Sequence, residues 1–353
     1  MLHSGQFAGL PLITTERFQM QEATKENKTR ILFEINEIIG KHERFALFSH
    51  QEPDGDAIGS QAALSLALRR LGKKVLSLRS DSVPPSLAFL NRDKAITKYR
   101  PDRDREKIRE AEVSVILDSC DYFRLGKLGR VVDQSPSLKI NIDHHRDNAF
   151  FGDVNYVRFS AGGAAELVFE VIKSLGVPVT GTIAGALYVG LCTDTVGFRY
   201  IDPDGNMIGV IAELIRGGID IEDLQEKIYC SRPPGYLDDL ETILRRVKYE
   251  NGGALAWFTM PPSEHLSFYE RELANEVLKQ LLCVKKIRAA AMLHHEESGV
   301  EVWLRSKTDV DVGRAAMSIG GGGHRTASGA LLRGRKLEEA IETVLGSVRA
   351  EMK

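Results

Sequence analysis

Residues 49–60, SHQEPDGDAIGS, place His50, Asp54 and Asp56 within seven positions, immediately before a predicted helix. Carboxylate and imidazole groups together bind divalent cations, and this mixture suits manganese, iron, cobalt or magnesium better than a thiolate-selecting metal. The alternative is a solvated turn with a capping aspartate, since Pro53, Gly55 and aspartate are ordinary turn residues. For Asp56 taken alone, the sequence favours neither interpretation.

Further acidic and histidine side chains end buried segments later in the chain. Asp118 and His144 each follow a short apolar run, and Asp194 lies near the end of an apolar stretch that predicts a buried helix. An unpaired carboxylate in such a place is costly, and several in one dry cleft repel one another. Bound divalent cations would remove both costs.

Hydrophobic periodicity predicts the elements that must position these side chains. Short apolar runs predict strands at 44–49, 74–78, 112–119 and 138–145, with helices between them. This alternation is typical of a parallel sheet built from βαβ units, in which ligands bind outside the carboxyl ends of the strands. The acidic and histidine residues should therefore converge although they are far apart in the chain.

Four segments are predicted along the chain. Residues 1–25 show no periodicity and are expected to be a disordered leader, and residues 26–215 form the catalytic domain. A helical linker at 216–250 then leads to a smaller α/β domain at 251–353, with strands near 254–259, 288–293 and 300–305 and a closing helix from Lys336. The fold class is therefore α/β with two unequal domains.

Composition limits the function classes. The chain has 353 residues, 43% of them hydrophobic and 27% charged, and its formal net charge is −2, so no overall positive field exists to hold a long nucleic acid. The four cysteines form no CxxC pair, which favours buried, reduced thiols in the cytoplasm. No apolar run long enough to span a membrane is present, so no membrane partner is expected.

A run of four glycines, Gly320 to Gly323, precedes His324 and Arg325. No Gly-Lys-Ser/Thr follows, so this is not a Walker loop, and the spacing differs from the dinucleotide fingerprint. Glycines allow backbone N–H groups to approach an anion, although glycine clusters also mark simple flexible turns. Ten lysines or arginines against five acidic residues between 284 and 336 favour anion binding.

Five motifs in order resemble those of the DHH phosphoesterase family. They are HQEPDGDAIGS, ILDSCD, NIDHH and GLCTDTVGF, followed by GGGGHRTASGA, which is similar to the glycine-rich signature of the DHH-associated C-terminal domain. The resemblance covers nearly the whole chain after residue 30. It implies a parallel-sheet catalytic domain with helices on both faces, a helical linker and a smaller α/β domain that faces the metal cleft.

The resemblance also assigns roles to single residues. It implies that His50 and Asp54 hold one cation, that Asp56, His144 and Asp194 hold the other, and that Asp118 bridges them. The remaining implied roles are orientation of a histidine by Asp143, contact with substrate or proton donation by His145, and phosphate binding by Arg305 and His324 with Gly321, Gly322, Gly323 and Arg325. The implied cofactor is a pair of divalent cations, Mn²⁺ with Mg²⁺ or Co²⁺ as alternatives.

The layout is most similar to the branch of the family that degrades oligoribonucleotides of two to five residues and dephosphorylates 3′-phosphoadenosine 5′-phosphate. Such an enzyme acts on short RNA or nucleotides, and a homodimer is implied by the resemblance. The alternatives are a soluble phosphodiesterase of cyclic or linear dinucleotides and a non-catalytic nucleotide sensor. The sensor is disfavoured because every implied metal-ligand position is intact.

A second pair of adjacent histidines, His294 and His295, follows a predicted strand and precedes EESG, which predicts a hairpin turn. The pattern predicts that both side chains lie on an exposed edge. A second metal site is therefore not expected there.

Overall fold

The computed structural model describes residues 22–24, 26–92, 94–199, 201, 206–261, 263, 265–307, 309–323 and 325–352. These residues form two compact units, one extending to Ser231 and the other beginning at Arg232. The division falls inside the segment 216–250, which the sequence assigns to the linker. Each unit contains its own sheet and its own hydrophobic cores.

The first unit is built on a six-stranded sheet in which all strand pairs are parallel. Its strands are β1 (Arg44–Ser49), β2 (Lys74–Arg79), β3 (Ile96–Lys98), β4 (Val113–Leu117), β5 (Leu138–Asp143) and β6 (Val154–Val157). They lie side by side in the order β3-β2-β1-β4-β5-β6, so the direction of the strand order reverses between β1 and β4. Ligand-binding crevices of open α/β sheets lie at such a switch point.

Helices cover both faces of this sheet, as the α/β class requires. They are α1 (Lys28–Lys41), α2 (Gly55–Arg70), α3 (Pro101–Glu110), α4 (Gly129–Asp133), α5 (Ala164–Ser174), α6 (Thr182–Asp194), α7 (Met207–Arg216) and α8 (Ile221–Tyr229). Alternate residues of β1 point to opposite faces, so Phe45 and Leu47 join one core while Ala46 and Phe48 join the other. Burial on both faces explains why these strands read as continuous apolar runs.

The second unit has a mixed six-stranded sheet in the order β11-β12-β10-β9-β8-β7. Its elements are α9 (Tyr236–Leu244), β7 (Lys248–Glu250), β8 (Leu255–Thr259), α10 (Phe268–Cys283), β9 (Ala289–Glu296), β10 (Gly299–Ser306), α11 (Val312–Ser318), β11 (Gly322–Gly323), β12 (Ala327–Arg333) and α12 (Leu337–Glu351). The helix α10 packs on one face of the sheet, and α11 and α12 pack on the other.

The predicted strands and helices are present in the described residues, but two details of the predictions differ. Asp54, rather than Asp56, caps α2, because its side chain accepts hydrogen bonds from the amides of Asp56 and Ala57. The strand β9 continues through His294, which is fully buried, so the prediction of an exposed edge is wrong for this residue. Register with β10 places His294 on a covered face, and the local pattern HHEESG does not contain that information.

The predicted leader lies almost entirely outside the described residues. Within the part that is described, Ala23 is buried, and its amide donates to the Val157 carbonyl at 2.7 Å. All four cysteines are free thiols, but only Cys120 and Cys192 are buried, so core packing is the wrong prediction for Cys230 and Cys283. Among the helices that the structure describes, none combines the length and apolar character needed to cross a membrane.

Candidate metal centre

The predicted ligands meet at the carboxyl edge of the parallel sheet. His50 follows β1, Asp118 follows β4, and His144 follows β5, and these three strands are neighbours in the sheet. The adjoining helices supply the rest: Asp54 and Asp56 begin α2, and Asp194 ends α6. Their ligand atoms fall into groups in which all members lie within 4.8 Å of one another.

One group consists of His50, Asp54 and Asp118. The Nε2 atom of His50 lies 3.3 Å from Asp118 Oδ2 and 3.8 Å from Asp54 Oδ1. The other ring nitrogen, Nδ1, donates to the Gln51 carbonyl at 2.6 Å. Since a carbonyl can only accept, this bond keeps a proton on Nδ1, so Nε2, which faces the carboxylates, is the nitrogen that a cation would bind.

A second group consists of Asp56, His144 and Asp194. His144 Nε2 lies 3.8 Å from Asp194 Oδ2 and 3.5 Å from Asp118 Oδ1, so Asp118 contacts histidines of both groups. The Oδ1 atom of Asp118 is buried, and it has no hydrogen-bond partner among the described residues. An uncompensated buried carboxylate oxygen is costly, so the residues fit a pair of divalent cations that share Asp118.

Asp118 is held in an uncommon backbone conformation. Its φ angle is 53°, in the left-handed region that L-residues other than asparagine and aspartate rarely adopt. Its amide still donates to the Ile142 carbonyl of β5 at 3.0 Å, so the residue turns out of the sheet just after its last ladder bond. Such strain persists where the surrounding structure enforces it, and here it directs the carboxylate towards both histidines.

The carboxylate of Asp56 is placed by the start of helix α5. Its oxygens accept hydrogen bonds from the amides of Ala164 at 2.5 Å and Ala165 at 2.9 Å. Two glycines make room for it, because a Cβ on Gly163 or Gly190 would lie 2.8 or 2.9 Å from a carboxylate oxygen. Glycine is therefore required for steric reasons at Gly163, before α5, and at Gly190, within α6, which the sequence analysis did not predict.

Buried Asp143 and half-buried His145 form a pair beside the predicted ligands, and His145 Nδ1 also lies 3.6 Å from Asp118 Oδ1. His145 Nδ1 donates to Asp143 Oδ1 at 2.7 Å, and Asn148 Nδ2 donates to Asp143 Oδ2 at 2.6 Å. Both oxygens of Asp143 are thereby fixed, and the tautomer of His145 is set with its Nε2 unprotonated in the neutral ring. The sequence analysis did not predict that Asn148 holds Asp143, because nothing in the local sequence distinguishes it from an ordinary turn asparagine.

Arg79, at the end of β2, is fully buried beneath the first ligand loop. Its guanidinium donates to the His50 carbonyl, to Ser49 Oγ and, at 3.2 Å, to Gln61 Oε1. Burial lowers the pKa of Arg79 to about 10, so it remains charged at neutral pH. The Arg79 guanidinium anchors His50 and partly offsets the negative charge of the neighbouring aspartates. The sequence analysis did not predict this role.

The electrostatics of the cluster reflect competition between burial and mutual charge. Burial disfavours the charged imidazole, yet Asp118 and Asp54 raise the pKa of His50 to about 10. Burial, reinforced by Asp118 and Asp194, raises the pKa of Asp56 well above its usual range. Without cations, the ligands therefore hold protons that a metal must displace, and cation binding should strengthen as pH rises.

The predicted substrate residues that the structure describes in the second unit lie on or near the strands β10 to β12. Arg305 is on β10, where its guanidinium donates to the Leu304 carbonyl at 3.0 Å and to Asn275 Oδ1 at 3.3 Å. In the glycine run, a Cβ on Gly321 would lie 2.2 Å from the Gly329 carbonyl, and one on Gly323 would lie 2.7 Å from Ser328. Close approach to β12 thus requires these two glycines.

A Cβ on Gly322, by contrast, would meet no atom within 4 Å. Arg325 is exposed, and its backbone carbonyl accepts from the Val312 amide at 2.8 Å. His324 lies outside the described residues, so its predicted contact with phosphate stays a prediction.

A parallel sheet that carries two adjoining carboxylate and imidazole groups at its carboxyl edge is the arrangement of a metal-dependent phosphoesterase. The chain belongs to the DHH family: the model of the family's N-terminal domain matches residues 44–191, and the DHHA1 domain matches residues 267–350. Both matches confirm the resemblance of the motifs.

Three known proteins are similar over most of their length. Over 304 residues, the chain is 33% identical to the bifunctional oligoribonuclease and PAP phosphatase NrnA of Thermus thermophilus, covering 86% of this chain and 89% of that relative. The Bacillus subtilis protein of the same name is 26% identical over 314 residues, with 84% and 92% covered. A crystal structure of an exopolyphosphatase-related protein from Bacteroides fragilis aligns with a TM-score of 0.83 at 25% identity, covering 93% of this chain and 98% of that one.

Proposed function

We propose that this protein hydrolyses phosphoester bonds in oligoribonucleotides of two to five residues, releases mononucleotides, and dephosphorylates 3′-phosphoadenosine 5′-phosphate. Two divalent cations, Mn²⁺ above Mg²⁺ or Co²⁺, serve as cofactors. The names of the Thermus thermophilus and Bacillus subtilis relatives support both activities. We also propose that the protein acts in the cytoplasm, because its cysteines are free thiols. The family resemblance supports a homodimer.

The observation that carries the proposal is the position of Asp118 between two ligand groups. One of its oxygens lies 3.3 Å from His50 and the other 3.5 Å from His144, and each histidine belongs to a different group. A carboxylate shared in this way is what a two-cation phosphoesterase requires. Carboxylate and imidazole donors without thiolates favour Mn²⁺.

The chain's own residues define the chemistry of the proposed site. When bound, a pair of cations lowers the pKa of an attacking water and stabilises the charge that develops on the phosphoryl oxygens. Asp143 orients His145 and stabilises its charged form, so His145 can hold a proton and give it to the leaving oxygen. Arg79 binds the backbone carbonyl of His50 and the Gln51 carbonyl binds its ring, so both contacts keep this ligand in place during turnover.

We assign recognition of the substrate's terminal phosphate to the second unit. Arg305 has no acidic partner among the described ion pairs, so its charge is available for an anion. Burial lowers the pKa of Arg305 to about 10, and the side chain is still cationic at neutral pH. A guanidinium in such a place suits a phosphate group, which it can bind through two parallel hydrogen bonds.

A turnover panel with Mn²⁺ tests the proposed function. Labelled RNAs of two to twenty nucleotides should give the highest kcat/KM at two to five nucleotides, because a site that binds the terminal phosphate encloses only a short substrate. The panel also contains 3′-phosphoadenosine 5′-phosphate, pGpG, cyclic dinucleotides and pyrophosphate. Equal rates on the twenty-nucleotide strand would indicate a processive exonuclease, and turnover of cyclic dinucleotides alone would indicate the alternative phosphodiesterase.

Arg305→Ala should separate recognition from chemistry. Loss of one charge-assisted contact costs ~1.5–3 kcal/mol, so kcat/KM for a dinucleotide should fall roughly ten- to hundred-fold. Bis-(p-nitrophenyl) phosphate has no terminal phosphate to bind, and its hydrolysis should be nearly unchanged. The control is Arg314→Ala, which removes an exposed arginine of the same unit and should affect neither substrate. Equal losses on both substrates would contradict a separate role in phosphate recognition.

A further inference from the structure

A second cluster of metal-ligand side chains lies in the second unit, on the hairpin formed by β9 and β10. His294 pairs directly with Glu301 across the two strands, and Glu296 lies two residues further along β9 on the same face. One ligand atom from each of these three residues lies within 4.8 Å of the other two. The next residue, His295, points to the opposite face and is exposed.

His294 shows an unsatisfied buried nitrogen. The residue is 0% exposed; its Nε2 lies 3.0 Å from Ser263 Oγ, whereas its Nδ1 is buried and has no hydrogen-bond partner among the described residues. The Oδ1 atom of Asp118 in the metal centre has the same property. A buried polar atom left in this state is rare in native structures and destabilises the fold unless a partner or an ion satisfies it.

The residues around the cluster add one more metal-ligand side chain, His265, and they do not cancel the negative charge of the cluster. His265 Nδ1 lies 3.3 Å from Glu296 Oε2, and Ser298 donates to the other oxygen of Glu296. Glu301 accepts from Arg271 at 2.8 Å and from Trp303 Nε1 at 3.0 Å. Two carboxylates face one guanidinium here, so the cluster has an excess of acidic side chains that a cation would offset.

The metal centre has four carboxylates to two imidazoles among its predicted ligands, whereas this cluster has as many imidazoles as carboxylates. A higher share of imidazole favours Zn²⁺, which accepts four mixed nitrogen and oxygen ligands in tetrahedral geometry. The exposed His265 lies in the segment that precedes α10, so an ion held in common would tie that segment to the hairpin.

We propose that His294, Glu296 and Glu301 form a Zn²⁺ site distinct from the catalytic metal centre, with the exposed His265 beside Glu296 as a fourth ligand. Its role is to fix the loop before α10 against the β9-β10 hairpin. This site does not depend on the proposed phosphoesterase activity.

Metal stoichiometry of the full-length chain tests the site. Chelator-stripped protein is loaded with Zn²⁺, desalted and analysed for bound metal, and the wild type should retain about three ions per chain, two at the catalytic centre and one more. His294→Gln and Glu296→Gln should each retain about one ion fewer, and Zn²⁺ should no longer raise their Tm as much as that of the wild type. Mn²⁺-dependent turnover, measured separately, should be unchanged.

Matched controls are provided by the neighbouring residues. His295→Gln and Glu297→Gln replace the same residue types at exposed positions one residue away, and both should bind as much Zn²⁺ as the wild type. His265→Ala alters an exposed side chain that folding does not need, so it should weaken Zn²⁺ binding even if the buried variant His294→Gln folds poorly. Equal Zn²⁺ content and equal Tm response in His265→Ala, Glu296→Gln and the controls would show a polar network without an ion and overturn the proposal.

Discussion

Asp118→Asn should lower kcat/KM on a dinucleotide by at least about 1000-fold, which corresponds to about 4 kcal/mol in the barrier. The substitution removes the negative charge that the two ligand groups share, while the amide keeps the volume of the side chain. Asparagine also tolerates the left-handed φ of 53° at this position, so the backbone should keep its conformation. The loss should therefore appear in chemistry and metal binding rather than in folding.

Two further variants separate the role of the carboxylate from backbone effects. Asp118→Ala should be as inactive as Asp118→Asn but less stable, because alanine does not favour a left-handed φ. Asp147→Asn neutralises an exposed aspartate in the loop after β5 and should retain nearly full activity. The assignment of Asp118 fails if Asp118→Asn keeps more than about a tenth of wild-type turnover, a barrier change below ~1.4 kcal/mol.

Removal of divalent cations should abolish turnover and also destabilise the first unit. The ligand carboxylates of Asp54, Asp56, Asp118 and Asp194 lie close together, and without cations they repel one another or take up protons. Binding to the native state alone stabilises by about 2.7 kcal/mol per site when the free cation is at one hundred times its Kd. Mn²⁺ should therefore raise the Tm of the chelated protein and restore activity at the same time.

Thermal unfolding of chelated and Mn²⁺-loaded protein measures this effect, with Asp118→Asn as the informative comparison. Relief of charge repulsion should make cation-free Asp118→Asn at least as stable as the cation-free wild type, while Mn²⁺ should stabilise the variant less. The response of the wild type should also increase with pH, because the protons held by His50 and Asp56 must leave when a cation binds. A wild-type Tm that does not respond to Mn²⁺ would contradict the metal centre.

Local sequence patterns predicted the elements of the first unit well. The strands β1, β4 and β5 appear as apolar runs that stop at His50, Asp118 and the pair His144 and His145, and the structure ends or turns each strand at that point. This agreement has a physical basis, because burial on both faces requires an uninterrupted apolar run and a charged group ends it. The predicted site residues of this unit followed from the same rule together with the order of the family motifs.

Tertiary structure alone decided the contacts between groups distant in the chain. The burial of Arg79 under His50, the bond from Asn148 to Asp143 and the space that Gly190 leaves for Asp56 each join different elements. No local pattern encodes such pairs, because their energies arise from desolvation and hydrogen bonding that exist only after the elements pack.

His294 shows the same limit on what a sequence determines. The sequence HHEESG determined that a hairpin turn follows β9, and the structure has that turn between β9 and β10. Which of the two adjacent histidines is buried depends on the register with β10 and on the helix that covers that face, since successive side chains of a strand point to opposite sides. Packing therefore turned a pair that looks like an exposed edge into one buried imidazole and one exposed imidazole.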